Sequence, residues 1–189
     1  MVLHRMVDLD GADKASGFIR FGDAFNIPMI NLIDCPGYVG GKEQEDRGII
    51  HHVANMVYAC GEATVLRIAI AVRKVYGAGI SGMGMSKAFG TDLTLAYPFA
   101  EIAAMALEAA MSVLFEEEIA KSSKPKEVRM MRTQEYRENF ANPYWAAERG
   151  WIDMVFDPKE TRIIVFKALD RLKTKTRGYS KKSHGTIPL

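Results

Sequence analysis

The sequence predicts an α/β domain in which parallel strands are joined by helices. Segments with helical periodicity alternate with short apolar runs along the 189 residues, an order typical of parallel sheets with crossover helices. Residues 28–34 are a short apolar run typical of a buried strand, and residues 65–72 are apolar apart from Arg67, as in a strand that is covered on both faces. A glycine-rich turn follows each run, so both turns are expected at the same edge of the sheet.

The first half of the chain is predicted to alternate between strands and helices. Its elements are a strand at residues 2–9, a helix at 12–25, a strand at 28–34, a helix at 46–62 and a strand at 65–72. Asp8 or Asp10 can cap the first helix, and Pro28 stops it. An apolar stripe at helical spacing supports this helix and consists of Ala15, Phe18, Ile19, Gly22 and Phe25.

The second half is predicted to be richer in helices. Its elements are a strand at 91–97, one helix at 98–115, a polar connector at 116–127, a helix at 125–140, a short helix at 143–150, a strand at 151–156 and a helix at 158–173. Pro98 suits the first position of a helix, and Pro158 does so behind the capping carboxylate of Asp157. Residues 116–140 form a helical excursion from the domain, and residues 174–189 are expected to be an extended basic tail.

Composition bounds the class of protein. With 48% hydrophobic and 25% charged residues, the chain suits one packed domain. The net charge of +2 gives no reason to expect a nucleic-acid partner, and no apolar run is long enough for a transmembrane helix. Cys35 and Cys60 have neither disulfide nor metal-ligand spacing, which favours a reduced compartment, the cytoplasm or an organelle matrix. The abrupt start of the first strand suggests a piece of a longer chain.

The stretch RKVYGAGISGMG, residues 73–84, is the main candidate for chemistry. It lacks the Gly-Lys-Ser/Thr ending of a phosphate-binding P-loop. Gly77, Gly79 and Gly82 match the glycine spacing of a dinucleotide fingerprint, but no suitable acidic residue follows. Two readings remain: a turn with close backbone packing, or an oxyanion hole made of unshielded N–H groups at a helix start.

A second glycine stretch, DCPGYVGGKEQE at residues 34–45, also follows a buried strand and precedes a helix. The two loops are expected at the carboxyl ends of neighbouring strands, where they can share a site of paired amides. Glu43 and Glu45 are most simply a solvated first helical turn. The basic residues near the C-terminus form either a solvated surface or a surface that attracts a polyanion such as coenzyme A.

Several segments, taken in order and spacing, resemble one family. They are VDLDGADKASGFIRFGDAFNIPMINLIDCPGYVGG, GIIHHVANMVYACGEATV, RKVYGAG, AYPFAEIAAM, FANPYWAAERGWIDMV and SHGTIPL. The chain resembles the C-terminal half of the carboxyltransferase (β) subunit of biotin-dependent acyl-CoA carboxylases, of the propionyl-CoA carboxylase β type. Residues 1–189 would then be the C-terminal carboxyltransferase domain, with the N-terminal acyl-CoA domain absent from this sequence.

The resemblance implies a crotonase-like (ClpP/crotonase) fold of stacked ββα units. It implies an acyl-CoA substrate, and biotin carried on a partner protein. The partners would be a biotin carboxylase or biotin carrier subunit and the N-terminal carboxyltransferase domain of a neighbouring subunit, usually within a hexamer. The active site would form where these two domains meet.

The resemblance also assigns residues. Ala78 and Gly79 would supply the oxyanion-hole amides that stabilise the biotin enolate left when carboxybiotin releases carbon dioxide. That anion would take the α proton of the acyl-CoA, and the resulting carbon nucleophile would capture the carbon dioxide. The residues implied in substrate binding are Gly77, Ile80, Ser81, Gly37 and Tyr38.

Two features of the glycine stretch bear on specificity and on a test. The family often has Gly-Gly-Ala-Tyr-Asp where this chain has Gly77-Ala78-Gly79-Ile80-Ser81, so Ser81 stands where propionyl-type enzymes carry an acid associated with acyl-chain choice. If Gly79 is glycine in order to let biotin approach, Gly79→Val is expected to impair biotin turnover far more than stability.

Three alternatives stay open on the sequence. The same chemistry can run backwards in a biotin-dependent acyl-CoA decarboxylase coupled to a sodium pump. The chain can be a non-catalytic half-domain that binds coenzyme A or assembles with a partner. A crotonase-type hydratase or isomerase would need a catalytic carboxylate, for which only Glu43 or Glu45 is available.

Overall fold

A parallel sheet organises the protein, as the sequence predicts, and it has five strands among the described residues. In the computed structural model, which describes residues 6–175, the strands are β1 Met29–Cys35, β2 Arg67–Tyr76, β3 Leu93–Ala96, β4 Glu101–Ala103 and β5 Met154–Val155. The strand order is β1-β2-β3-β5, and β4 pairs with β2. Every pairing between these strands is parallel.

Helices connect and cover the strands. Within the described range they are α1 Leu9–Ala24, α2 Lys42–Asp46, α3 Ile49–Glu62, α4 Ala78–Gly82, α5 Leu107–Leu114, α6 Glu116–Lys121, α7 Pro125–Asn139, α8 Pro143–Glu148 and α9 Thr161–Leu172. Buried residues of α1 and α3 form one core cluster with Met29 of β1, and α9 packs on Ile68 and Ile70 of β2. The helices therefore bury most of β2, as the sequence predicts. The prediction of a buried strand is only half right for β1, because Met29, Ile33 and Cys35 are buried whereas Ile30 and Leu32 on the other face are exposed.

Strand β2 is longer than predicted and pairs with two different partners along its length. Its first part pairs with β3, with Ile68 opposite Leu93. Its last three residues pair with β4, with Tyr76 opposite Ala103. A tight turn joins β3 to β4, and α5 follows. This β3–β4–α5 succession is a ββα unit, and β2 is the strand against which both of its strands align.

The prediction of one helix over residues 98–115 is wrong in its first half. Ala100 N–H donates to the Tyr97 carbonyl at 3.0 Å, so Pro98 occupies the second position of a β-turn, where its fixed φ is favoured. Residues 101–103 then form β4, whose Ile102 side chain is buried. Tertiary pairing with β2 outweighs the helical preference of this alanine-rich segment.

Other boundaries and faces differ in smaller ways. Helix α1 begins at Leu9, because the Asp8 carboxylate accepts from the Gly11 N–H at 2.8 Å and caps it there. Phe18 and Phe25 of the predicted apolar stripe are exposed, and Ile19 is the large apolar residue of that stripe that is buried. The part of the segment 116–127 predicted as a polar connector contains α6, whose Ile119 packs against α5.

The chain ends are described in part. Of the strand predicted at 2–9, residues 2–5 lie outside the described range. The prediction is wrong for the remainder, where Val7 makes a single bridge to Tyr38 and Leu9 already belongs to α1. The predicted tail lies outside the described range from residue 176 onward. The predicted strand at 151–156 is reduced to the two residues of β5. Among the helices of residues 6–175, none has the length and apolar character that crossing a membrane requires.

Candidate functional site

The two glycine-rich stretches follow neighbouring strands of the sheet. Cys35 at the end of β1 is in register with Val75 near the end of β2. The first glycine loop, residues 36–41, and the second glycine loop, residues 77–84, therefore leave the sheet side by side. Their predicted adjacency at the carboxyl ends of parallel strands is confirmed.

The two loops also contact each other directly. A Cβ atom added to Gly79 would lie 2.9 Å from the Cys35 carbonyl oxygen and 3.1 Å from its Sγ. A Cβ atom added to Gly82 would overlap the Tyr38 hydroxyl oxygen and lie 2.8 Å from Met56 Cε. These two glycines are thus required because the backbone of the second loop touches the first loop and the core beneath it.

The second loop presents N–H groups at its start. Gly77 has a φ of 54°, a conformation that favours glycine, and its N–H donates to the Ala103 carbonyl at 3.0 Å. Ala78 and Gly79 are the first two residues of α4, where N–H groups have no partner within the helix. Within residues 6–175, neither of these N–H groups donates to an acceptor elsewhere. Ala78 is exposed, whereas Gly79 is buried.

Ile80 and Ser81 face different surroundings. Ile80 lines a mostly apolar cavity of about 360 Å³, together with Met85, Ile102, Trp151 and Ile152. The Ser81 hydroxyl donates to the Ala78 carbonyl at 3.1 Å, so this side chain turns back onto its own helix. The cavity therefore adjoins the second glycine loop and has room for the apolar part of a small ligand.

Gly37 and Tyr38 belong to the first loop. The Gly37 carbonyl accepts from the Val7 N–H at 3.0 Å, and a side chain added to Gly37 would meet nothing within 4 Å. The Tyr38 hydroxyl is buried and has no hydrogen-bond partner among the described residues. Burial raises the pKa of Tyr38. The phenol therefore packs between the two loops, and a role in substrate binding stays a prediction.

Replacing Tyr38 with phenylalanine tests that role. We expect Tyr38→Phe to raise stability by about 1 kcal/mol, because an unsatisfied buried hydroxyl is costly, and to leave turnover unchanged. Thermal unfolding of this chain measures the change in stability, and steady-state kinetics of its fusion with the N-terminal domain that the resemblance implies measure turnover. A loss of activity without a loss of stability would instead assign the hydroxyl to the substrate. Tyr58→Phe, outside both loops, is the matched control.

The expected effect of Gly79→Val needs correction. Because a side chain at this position meets the Cys35 backbone, the substitution must disturb the contact between the loops as well as the approach of a ligand. Overpacking of this kind typically costs about 1–3 kcal/mol. Gly79→Val is therefore expected to lower stability and activity together. It does not distinguish a turn with close backbone packing from an oxyanion hole.

A polar cluster that the sequence did not predict supports the end of β2. The Tyr76 hydroxyl donates to the Glu101 carboxylate, and Arg137 Nε lies 3.2 Å from the other Glu101 oxygen. Burial and then the Glu101 hydrogen bond raise the pKa of Tyr76. The cluster ties α7 to the strand residue before Gly77. The sequence does not indicate this cluster, because it predicts a helix at Glu101.

The remaining sequence candidates lie outside this site or on the surface. Glu43 and Glu45 are exposed on α2, as in the solvated interpretation. Residues 6–175 contain no group of three or more side chains that could hold a metal ion. Two of the basic residues near the C-terminus form ion pairs. Lys173 Nζ lies 2.8 Å from Asp170 Oδ1, and Lys175 Nζ lies 2.7 Å from Asp92 Oδ2. The predicted basic residues Arg177, Lys181 and Lys182 lie outside the described range.

The fold and the paired loops define a crotonase-like protein, a class built from ββα units with amide-lined turns at strand ends. The sequence matches the family described as Carboxyl transferase domain over residues 6–187. The chain therefore belongs to the carboxyl transferase family, as its segments indicated.

Named relatives agree with this membership. The chain is 45% identical over 181 residues to a putative propionyl-CoA carboxylase beta chain of Bacillus subtilis, covering 96% of this chain and 36% of the relative. It is 44% identical to methylmalonyl-CoA decarboxylase subunit alpha of Veillonella parvula, covering 100% of this chain and 35% of the relative. The chain thus spans about a third of the length of these relatives.

A solved structure shows the same fold. The crystal structure of a transcarboxylase 12S hexamer with methylmalonyl-coenzyme A and methylmalonic acid bound aligns with a TM-score of 0.90 and 41% identity. The alignment covers 97% of this chain and 35% of the 12S chain. The crotonase-like architecture inferred from the sequence is therefore confirmed.

Proposed function

We propose that this chain is the C-terminal part of a carboxyltransferase that moves a carboxyl group between carboxybiotin and a short-chain acyl-CoA. Family membership and the names of the relatives support the reaction class. The observation that carries the proposal is the start of the second glycine loop, where the N–H groups of Ala78 and Gly79 have no protein acceptor among the described residues.

These residues act through their backbone. The N–H groups of Ala78 and Gly79 stabilise negative charge that develops on the ureido oxygen of biotin, as in an oxyanion hole. The small Ala78 side chain is exposed and leaves the surface open to a planar group. Gly79 is buried against Cys35, which fixes the loop from behind. No side-chain acid or base is needed at this position.

The N–H groups at the start of the second glycine loop are suited to the ureido oxygen of biotin. Biotin carboxylated on a carrier protein would supply the carboxyl group when it is bound. The apolar cavity beside Ile80 gives a water-poor surface next to the amides, since Met85, Ile102 and Ile152 line it. A low local dielectric strengthens the interaction between N–H groups and a developing anion. Five residues of the two glycine loops are proposed to form the substrate-binding surface around these amides: Gly77, Ile80, Ser81, Gly37 and Tyr38.

The partners follow from the same proposal. They are a biotin carboxylase or biotin carrier subunit, and the N-terminal carboxyltransferase domain of a neighbouring subunit in a hexamer. Support comes from the hexamer of the 12S relative and from the exposed Phe18 and Phe21 of α1 and Phe25 at its C-cap, since large apolar patches mark protein interfaces. The proposed location is the cytoplasm or mitochondrial matrix, in keeping with the free thiols of Cys35 and Cys60.

A chimera tests the proposed function. This chain replaces the matching third of the Bacillus subtilis relative, and the fusion is assayed for decarboxylation of methylmalonyl-CoA with free biotin. We expect biotin-dependent turnover from the chimera and none from this chain alone. A folded chimera that stays at the background rate would refute the enzymatic function and favour a half-domain that only binds or assembles.

The decarboxylase direction is a second candidate, favoured by the similarity to the Veillonella parvula subunit. Co-purification separates the two. A biotin carboxylase bound to the native protein supports carboxylation, whereas a membrane-bound decarboxylase subunit supports the reverse reaction.

Glu43→Gln and Glu45→Gln are expected to retain activity, and a loss would instead support a hydratase or isomerase.

Ser81 is expected to influence acyl-chain choice. In the chimera, Ser81→Asp should raise the ratio of kcat/KM for decarboxylation of methylmalonyl-CoA over malonyl-CoA, because it restores the acid found in the propionyl type. One methylene group is typically worth about 10–200-fold in such ratios, so a change of about 10-fold is the expected size. Ser81→Ala is the control, and equal ratios in both variants would remove Ser81 from specificity.

A further inference from the structure

Three consecutive carbonyl groups at the end of the second glycine loop each accept a hydrogen bond from a side chain. The Gly82 carbonyl accepts from Cys60 Sγ at 3.6 Å, and the Met83 carbonyl accepts from Asn31 Nδ2 at 2.9 Å. The Gly84 carbonyl accepts from the Thr91 hydroxyl. Helix ends leave such carbonyls without partners, so external donors are needed here.

The three donors come from separate parts of the chain. Asn31 lies in the middle of β1, Cys60 lies in the last turn of α3, and Thr91 precedes β3. Cys60 and Thr91 are buried. Burial raises the pKa of the Cys60 thiol, which keeps it protonated as a donor. A sheet strand, a helix and a turn thus converge on one edge of the loop.

The backbone at this edge is constrained as well. Gly84 has a φ of 74°, and a Cβ atom added to it would lie 3.0 Å from Asn31 Nδ2. Any larger residue would push the amide away from the Met83 carbonyl. The hydrogen bond from Asn31 to the Met83 carbonyl therefore requires both the asparagine on β1 and a glycine at position 84.

The short length of α4 makes its ends decisive. A helix of five residues has too few internal hydrogen bonds to hold itself together. Its start is held by the Gly77 N–H bond to Ala103 and by the contact of Gly79 with Cys35. Its end is held by the three side-chain donors. We therefore expect a change at this end to shift the loop and, with it, the N–H groups of Ala78 and Gly79.

We propose that Asn31, Cys60 and Thr91 are positioning residues that fix the carbonyl edge of the second glycine loop and thereby aim the N–H groups of Ala78 and Gly79. This inference rests on the proposed function, because it assigns those N–H groups to substrate. Amide donors of an oxyanion hole must lie about 2.7–3.1 Å from the developing anion. A misplacement of about 1 Å lowers rates roughly 100-fold.

Thr91 allows the sharpest test, in the same chimera. Thr91→Val keeps the shape and removes the hydroxyl, whereas Thr91→Ser keeps the hydroxyl. We expect Thr91→Val to lower kcat at least about 10-fold with little change in KM for the acyl-CoA, and Thr91→Ser to retain most of kcat. The matched control is Thr94→Val, which removes another buried hydroxyl, one that lies within hydrogen-bond distance of the Trp151 carbonyl at 3.0 Å and of the Asp153 carboxylate at 2.9 Å.

Two outcomes would overturn the proposal. One is an equal fall of kcat in Thr91→Val and Thr94→Val, which would indicate a general effect of stability. The other is a failure of Thr91→Ser to retain activity, which would mean that the hydroxyl is not the important group.

A second measurement on this chain keeps the test independent of activity. The Ile80 and Met83 amides donate within the loop, to the Gly77 and Gly79 carbonyls, and their hydrogen exchange reports the order of the loop. We expect faster exchange of these amides in Thr91→Val and not in Thr94→Val. Unchanged exchange in Thr91→Val would refute the positioning role. An inactive unsubstituted chimera would refute the proposed function alone.

Discussion

Replacing Ala78 with proline is expected to lower kcat of the chimera by about 10²–10³-fold, the usual effect of removing one oxyanion-hole donor. Proline deletes the N–H group and keeps the backbone shape, because Ala78 is the first residue of α4 and proline is well tolerated there. The residue is exposed, so its ring meets solvent. We therefore expect the melting temperature to change by only a few degrees. Steady-state kinetics and thermal unfolding of the same preparation measure both effects.

Ala78→Gly is the matched control for this substitution. It also changes the side chain, but it retains the N–H group, so kcat should stay near that of the unsubstituted protein. Ala78→Pro with undiminished kcat would show that this amide does not contact the reacting group. Loss of activity together with a large loss of stability, the result expected for Gly79→Val, would show that Ala78→Pro disturbs the packing of the loop as well as its N–H group.

Replacing Gly82 with alanine is expected to destabilise the protein by about 3 kcal/mol, at the upper end of typical overpacking effects. The added methyl group overlaps the Tyr38 hydroxyl and lies 2.8 Å from Met56 Cε. Tyr38 cannot move away easily, because it packs against a core cluster that contains Met56 and Cys60. Chemical denaturation of this chain measures the loss.

Gly40→Ala provides the control, because a Cβ atom at Gly40 meets nothing within 4 Å. Its free energy of unfolding should change by less than about 1 kcal/mol. The double substitution Gly82→Ala with Tyr38→Ala is expected to recover part of the loss, since it frees the space that the ring occupies. Wild-type stability of Gly82→Ala would contradict direct contact between the two loops.

Much of the fold could be predicted because its signals are local. The apolar runs at 28–34 and 65–72 became β1 and β2, and the carboxylate of Asp8 marked the start of α1. The error at residues 98–103 has the opposite cause. Nothing within that alanine-rich segment indicates a strand, since the hydrogen bonds that make it one are donated and accepted by β2.

The candidate site could likewise be predicted from the sequence only in part. The glycine pattern and its place after a buried strand predicted a loop with open amides, and the resemblance to the family assigned Ala78 and Gly79. Neither observation indicated why Gly79 and Gly82 must be glycine, because their contacts are with Cys35 and Tyr38. The side chains of Asn31 and Thr91 carry no signal in sequence. Asn31 is 52 residues from the carbonyl that it contacts, and Thr91, although only 7 residues from Gly84, is part of no pattern that indicates this contact.

The sequence by itself determined the family, the alternation of strands and helices and the position of the two glycine loops, because each is written in a contiguous run of residues. Only the tertiary structure decided that β4 is a strand, that Phe18 and Phe25 face outward, and that side chains of β1, α3 and the turn before β3 donate hydrogen bonds to the second glycine loop. The physical reason is the same in each case. These features depend on hydrogen bonds and packing between residues that are brought together by the folded chain.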